Sequence, residues 1–144
     1  MIVLDTTVLV YALGADHPLR GPVRALLEAA HDEVVRLTTT VEVIQEFAHV
    51  VARRRGRKEA VVRAKDYLVG LSPLAQPEEG DLLEGLGIFG RLDSLGSFDS
   101  VLAAMALRRN WALASADRAF SRVEGLLHLD PSSSRFVEDA RSLG

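Results

Sequence analysis

Four acidic residues have the types and positions to share a metal ion. Asp5 ends the apolar run Ile2-Val3-Leu4, and Asp117 lies just beyond a later apolar run. Asp99 falls in the first turn of a predicted helix, and Glu46 lies within an otherwise apolar helical stripe, where a lone buried carboxylate is costly unless it is paired or metal-bound. The chain has no cysteine and no convincing histidine set. These carboxylates therefore indicate oxygen ligation of Mg²⁺ or Mn²⁺.

Short apolar runs that alternate with helical patterns must position these acids. The pattern predicts strands at 2–4, 34–37, 74–75, 111–114 and 126–129, and helices at about 23–30, 41–51, 58–71, 78–91 and 97–109, with residues 55–57 as an interruption. The threonines 38–40 offer an N-cap to the second helix, and Ser97 offers one to the last. Such alternation is typical of an α/β fold with a parallel sheet. Sites in such sheets form at the carboxyl ends of the strands.

Composition limits the classes of function that need to be considered. The 144 residues suit one domain, and eight aromatic residues are too few for an extended aromatic platform as the main RNA-binding device. The N-terminus lacks the basic flank of a secretory signal, and no apolar stretch approaches the roughly 20 residues of a membrane span. We therefore expect a soluble, cytoplasmic protein without a membrane partner.

The net charge of −3 conceals an asymmetry along the chain. Residues 51–68 hold seven Lys or Arg against two acidic residues, a local charge of +5, which leaves −8 for the remainder. A basic arm beside an acidic body suits an enzyme that attracts a polyanion and gathers metal ions; the alternative is an ordinary solvated helical surface. The predicted phosphate-contacting residues are Arg53, Arg54, Arg55, Arg57 and Lys58, with Arg63 and Lys65 nearby. Arg108 and Arg109 lie at the C-terminus of a predicted helix, where we expect their positive charges to interact favourably with the helix dipole.

Four segments resemble the PIN domain family, and most closely its VapC-type toxin ribonucleases. They are the opening Ile2-Val3-Leu4-Asp5-Thr6-Thr7-Val8-Leu9-Val10-Tyr11-Ala12, the helix from Thr40 to Phe47, the block from Phe98 to Leu107, and Ala114-Ser115-Ala116-Asp117-Arg118-Ala119-Phe120. Each motif alone is weak, but the four occur in the family's order and spacing over roughly residues 1–130. The sequence departs from the family mildly at Ser100, where many relatives carry Ala.

The resemblance implies a fold, an activity and a set of site residues. The fold would be a single PIN domain over 1–144, three-layered α/β/α, with about 131–144 as a C-terminal tail. The activity would be Mg²⁺- or Mn²⁺-dependent endoribonuclease cleavage, by a toxin that forms a homodimer and is held inactive by an antitoxin. The acidic metal cluster would be Asp5, Glu46, Asp99 and Asp117, with Thr7 and Ser115 behind it as hydroxyl groups that orient the carboxylates or the attacking water.

This assignment suits phosphodiester hydrolysis, which needs an activated water and a neutralised, charge-rich transition state. We hypothesise that Asp5 and Asp99 ligate the principal ion, while Glu46 and Asp117 complete its shell or bind through water. Asp5→Asn is then expected to abolish cleavage with the fold intact.

Each acid also has a simpler structural interpretation. Asp5 and Asp117 could cap helices, and Asp99 could be an acid that the helix dipole stabilises. Glu42, three residues after Thr39, is read as part of a capping box, which leaves Glu46 as the better ligand candidate.

Other classes of function remain as alternatives. Glu28 with His31, and Glu46 with His49, match the Glu-x-x-His pairing of di-iron bundles. A phosphatase with an aspartyl nucleophile requires an acidic residue at the position that Thr7 occupies here. A receiver-type regulatory domain requires adjacent acidic residues near the N-terminus, which this sequence lacks. The main alternative is a catalytically silent PIN-fold module that binds RNA or a partner.

Overall fold

A four-stranded parallel sheet forms the centre of the computed structural model, which describes residues 1–144. Its strands are β1 (Ile2–Leu4), β2 (Leu37–Thr38), β3 (Ala112–Ala114) and β4 (His128–Leu129). Seven α-helices flank it: α1 (Thr6–Leu13), α2 (Arg20–His31), α3 (Val41–Arg55), α4 (Arg57–Leu71), α5 (Glu79–Arg91), α6 (Ser97–Arg108) and α7 (Phe136–Arg141). A short 3₁₀ helix covers Arg118–Arg122. The predicted α/β class with a parallel, helix-flanked sheet is confirmed.

The strand order β2-β1-β3-β4 brings the two acid-bearing strands side by side. In β1, Ile2 pairs with Leu37 on one side and with Ala112 on the other, so β1 and β3 are the central neighbours. The chain moves from β1 to one edge of the sheet and later returns on the other side, which makes the β1–β3 junction a topological switch point. A crevice forms at the carboxyl ends of strands at such a point.

Helix α6 is held deep in the molecule. Its five consecutive residues 102–106, three of them alanine, are all buried, and small side chains let neighbouring elements approach closely. On its outer side, a Cβ at Gly85 of α5 would stand 2.7 Å from the Val101 Cα, so glycine is required at that crossing. This packing fixes the start of α6, and with it Asp99.

A buried ion-pair group joins α5 to the end of α6. Asp81 is fully buried; its Oδ2 accepts hydrogen bonds from the Arg109 Nη1 and the Glu78 backbone N–H, both at 2.8 Å, and its Oδ1 lies 3.0 Å from the Arg108 Nε. Burial alone would raise the pKa of Asp81, but these hydrogen bonds and the two arginine charges lower it overall. The prediction that Arg108 and Arg109 serve the helix dipole missed this ion-pair group.

Several local predictions from the sequence are corrected. The strand predicted at 34–37 forms at Leu37–Thr38, and 74–75 contributes a single bridge between Thr40 and Ala75. The N-cap of α6 is Gly96 rather than Ser97, without a side-chain hydrogen bond. Glu42 belongs to no capping box, because the cap of α3 is Thr40, whose Oγ1 accepts a hydrogen bond from the Val43 N–H.

The segment 131–144, expected to be a tail, contains helix α7. Phe136 and Ala140 of this helix are buried, so part of the segment belongs to the core. None of the helices is both long enough and apolar enough to cross a membrane.

Candidate active site

Asp5 lies at the carboxyl end of β1 with one oxygen held by three hydrogen bonds. Its Oδ2 accepts from the Thr7 Oγ1 at 2.7 Å, from the Ser115 Oγ at 2.8 Å and from the Thr7 N–H at 3.3 Å. The second oxygen, Oδ1, accepts no hydrogen bond within the protein. Asp5 is therefore the N-cap of α1, as the simpler interpretation predicted, and still has an oxygen left to bind a ligand.

The two hydroxyl groups behind Asp5 are themselves oriented by the backbone after β3. The Thr7 Oγ1 accepts a hydrogen bond from the Ala116 N–H, and the Ser115 Oγ accepts one from the Asp117 N–H, each at 3.0 Å. Because each hydroxyl oxygen accepts from a backbone N–H, its single proton is free for the hydrogen bond that it donates to the Asp5 carboxylate. These hydrogen bonds connect the segments that follow β1 and β3 around the Asp5 carboxylate.

Asp99 is coupled electrostatically to the other three acids. Burial and, to a smaller extent, the negative charges of Asp5, Glu46 and Asp117 together raise the pKa of Asp99 to about 7. These residues come from four separate parts of the chain, so the fold brings them within range of one another. The neighbouring Ser100 points elsewhere: its hydroxyl group donates to the Gly96 carbonyl, and the departure from the family's usual Ala leaves the cluster unchanged.

Glu46 and Asp117 lie at the exposed side of the cluster. The prediction that Glu46 is buried in an apolar stripe is wrong, because the buried stripe of α3 is Val43, Phe47 and Val51 and Glu46 lies at its edge. The Thr6 Oγ1 donates a hydrogen bond of 2.5 Å to the Glu46 Oε2. Asp117 caps the 3₁₀ helix, with its Oδ1 accepting from the Ala119 N–H at 2.8 Å.

All four carboxylates line a single cavity of about 300 Å³ at the carboxyl edge of the sheet. The other lining residues are Thr6, Thr7, Val10, Tyr11, Val50 and Arg54. No three acidic or histidine side chains are already gathered as a closed set of metal ligands. The fit to a divalent cation therefore rests on the donor chemistry, four carboxylates with mutual repulsion around one open space, rather than on a coordination geometry.

Of the basic residues predicted to contact RNA, only Arg54 lines this cavity. It lies on α3 two turns after Glu46, with Val50 between them on the same face. Arg53, Arg55, Arg57 and Lys58 are exposed around the α3–α4 junction, and the Arg55 Nη2 approaches the Leu13 carbonyl at 3.5 Å. The structure thus separates one member of the basic run from the rest.

The sequence analysis missed four residues of the cavity wall, of which Thr6 and Tyr11 carry polar groups and Val10 and Val50 are apolar. Tyr11 follows Thr7 by four residues in α1, a spacing that puts both on one face of a helix and could have revealed it. The di-iron alternative fails, because the sheet occupies the place where a four-helix bundle would need helices.

Comparison with known proteins agrees with this geometry. The sequence model of the PIN domain family matches residues 2–126. The chain belongs to the PIN domain family. Ribonuclease VapC7 of Mycobacterium tuberculosis is 46% identical over 139 residues, which cover 95% of this chain and 96% of the relative. Ribonuclease VapC13 of the same species is 32% identical over 131 residues, with coverages of 90% and 99%.

Solved structures of PIN-domain toxins share the fold. VapC20 of M. tuberculosis, described as a toxin that cleaves the sarcin-ricin loop, aligns with a TM-score of 0.70 at 16% identity and covers 88% of this chain and 98% of its own. VapBC2 from Rickettsia felis, bound to a DNA fragment from its promoter, aligns with a TM-score of 0.72 at 18% identity, with coverages of 90% and 98%. At these identities the likeness concerns the fold alone.

Proposed function

We propose that this PIN-domain protein is a divalent-metal-dependent endoribonuclease, which acts in the cytoplasm as the toxin of a toxin–antitoxin pair. The observation that carries the proposal is the cavity that Asp5, Glu46, Asp99 and Asp117 share; burial and the charges of the other three acids raise the pKa of Asp99 there. The ribonuclease relative that matches 95% of the chain supports the same activity.

The cluster supplies the ligands for Mg²⁺ or Mn²⁺. Asp5 and Asp99 would be the principal ligands, and Glu46 and Asp117 would complete the shell directly or through water. A bound divalent ion would lower the pKa of a water molecule and neutralise charge on the reacting phosphate. The protein's own part is positional: Thr7 and Ser115 hold the Asp5 carboxylate with Oδ1 free, and Thr6 holds Glu46.

The substrate's phosphates meet the basic side of the site. Arg54 is the one cation that lines the cavity, and it forms no ion pair with any of the four carboxylates. Its guanidinium group is therefore available to a phosphate of the RNA. Arg53, Arg55, Arg57 and Lys58 extend the positive surface beyond the cavity and contact phosphates farther along the strand.

A cognate antitoxin and a second copy of the chain are the proposed protein partners. The antitoxin is inferred from the likeness to the VapBC pairs of R. felis and of nontypeable Haemophilus influenzae. Light scattering after size-exclusion chromatography of the purified chain measures the homodimer directly, and a mass of 15.7 kDa would exclude it.

The enzyme hypothesis is tested with purified protein, a single-stranded RNA pool and added Mg²⁺ or Mn²⁺. We expect cleavage that EDTA abolishes and that Asp5→Asn reduces at least about 100-fold, because a lost ligand removes several kcal/mol of transition-state stabilisation. Asp93→Asn is the matched control, since Asp93 is an exposed acid outside the cavity, and it should cleave like the wild type. RNA binding without any metal-dependent cleavage would instead favour the catalytically silent PIN module.

A further inference from the structure

Tyr11 and His17 form a stacked pair of rings beside the carboxylate cavity. Tyr11 lies on the cavity face of α1, and its ring centroid is 4.4 Å from that of His17, with 30° between the ring planes. His17 belongs to the loop between α1 and α2, where its Nδ1 accepts a hydrogen bond of 3.1 Å from the Leu19 N–H. This bond orients the imidazole ring, so the stack is built into the loop.

The surroundings of Tyr11 differ from those of the chain's structural aromatic residues. Phe47, Phe120 and Phe136 are fully buried, and the Tyr67 hydroxyl donates to the Leu9 carbonyl at 3.0 Å. Tyr11 is only half-buried, its hydroxyl makes no hydrogen bond within the protein, and it is the only aromatic residue that lines the cavity. Tyr11 packs partly against the hydrophobic core, so packing accounts for one part of the ring but not for its position in the wall of the cavity.

We propose that Tyr11 and His17 form a stacking subsite for an unpaired nucleobase next to the cleaved phosphate. This inference rests on the proposed ribonuclease function and adds to it two residues that contact a base of the substrate. His17 is exposed, so a base can continue the two-ring stack. Arg54, which lines the same cavity from α3, is placed for the phosphate of that nucleotide. One stacked base contributes about 1–3 kcal/mol to binding.

A base must have one free face to reach these rings. In a duplex both faces of a base are covered by its neighbours, and the base must leave the stack before it can meet a protein ring. A loop, bulge or free end already presents such a base. The structure therefore assigns to Tyr11 and His17 a part in choosing which RNA segment enters the cavity, separate from the metal chemistry of the carboxylates.

The test measures binding in EDTA, so that no cleavage is needed. Two fluorescent 2′-O-methyl RNA hexamers are compared: one of randomised base sequence, and one of the same length and charge that lacks all bases. We expect the wild type to bind the base-bearing hexamer about tenfold more tightly than the abasic one, as stacking of one base predicts. His17→Ala should remove most of this difference because it removes the ring that the base touches, Tyr11→Ala should reduce it because His17 loses its stacking partner, and Tyr11→Phe should keep it.

The control variants are His49→Ala and Phe89→Ala, which remove an exposed imidazole and an exposed aromatic ring away from the cavity and should bind like the wild type. The proposal is overturned if the wild type binds both hexamers equally, or if Tyr11→Ala weakens both to the same extent. His17→Ala, in a surface loop, keeps the test valid should Tyr11→Ala fail to fold. If the wild type cleaves RNA but shows no preference for the base-bearing hexamer, the subsite alone is refuted. If the wild type does not cleave RNA, the proposed function is refuted.

Discussion

Asp5 illustrates how one carboxylate can serve folding and chemistry together. Its Oδ2 caps helix α1 and accepts two hydroxyl protons, while its Oδ1 remains free at the cavity. The capping and ligand interpretations of this residue therefore do not compete, because each uses a different oxygen. Asp117 behaves similarly, since it caps the 3₁₀ helix and also lines the cavity.

Asp99 is expected to destabilise the metal-free protein. It stands in the first turn of α6, where the helix dipole favours a charge, but burial and the three neighbouring acids raise its pKa to about 7. Asp99→Asn removes the charge and should raise the free energy of unfolding in EDTA at pH 8 by about 1 kcal/mol, a value discounted for the partial exposure of the side chain.

Thermal unfolding in EDTA, followed by circular dichroism, measures this effect. The gain should appear as a midpoint higher by about 3 °C for a chain of this size. Asp93→Asn removes an exposed charge outside the cluster and should leave the midpoint unchanged. An Asp99→Asn midpoint equal to or below that of the wild type would contradict the account of repulsion in the cluster.

At the scale of elements, the Asp81 ion-pair group holds α5 against the end of α6. Because its pKa in the folded protein lies below the ordinary value of 3.8, Asp81 binds fewer protons folded than unfolded. Its stabilising contribution is therefore complete above about pH 4 and is lost as the pH falls through the lower, folded-state pKa. At pH 7, Asp81→Asn should cost about 1.5–3 kcal/mol, as hydrogen bonds to charged groups do.

Urea unfolding at pH 7, pH 5 and pH 3 checks the direction of this dependence. The stability difference between wild type and Asp81→Asn should be similar at the two higher values and should shrink at pH 3. Asp139→Asn, at an exposed ion pair of α7, serves as a control of equal charge change. A difference that stays constant down to pH 3 would show that Asp81 acts through packing rather than through its charge.

The sequence predicted elements better than it predicted their ends and their contacts. Strands and helices were recognisable because apolar residues repeat at the periods of each, and the order of Asp5, Glu46, Asp99 and Asp117 followed the family. The exposure of Glu46 was not recognisable, because it depends on which face of α3 meets the core. The partners of Asp81 and the stack of Tyr11 on His17 depend on tertiary contacts between separate elements, which no local pattern contains.

Across the whole molecule, a basic arm lies next to an acidic body. The arm, residues 51–68, includes the end of α3 and most of α4, while the four carboxylates stand at the carboxyl edge of the sheet. Under the proposed function, this arrangement would attract metal ions to the cluster and offer RNA a positive surface beside it. Arg54 belongs to both regions, since it is part of the arm and lines the cavity.

RNA binding is therefore expected to weaken steeply with salt, and Arg54 should account for one phosphate contact. The affinity is measured by fluorescence anisotropy in EDTA. The slope of log affinity against log salt concentration is negative, and in Arg54→Ala it should become less steep by about 1. Arg141→Ala changes the charge equally, but on an exposed part of α7 outside the cavity, and it should keep the wild-type slope. Salt-independent binding, or equal slopes for Arg54→Ala and the wild type, would show that Arg54 does not contact a phosphate of the RNA.

The central claim is that Asp5, Glu46, Asp99 and Asp117 together hold a divalent ion, and Mn²⁺ binding followed by electron paramagnetic resonance tests it most directly. The account predicts at least one Mn²⁺ site per chain in the wild type and in Asp93→Asn, with affinity at least about tenfold weaker in Asp5→Asn because a negatively charged ligand is lost. Equal Mn²⁺ affinity in Asp5→Asn and the wild type would contradict it.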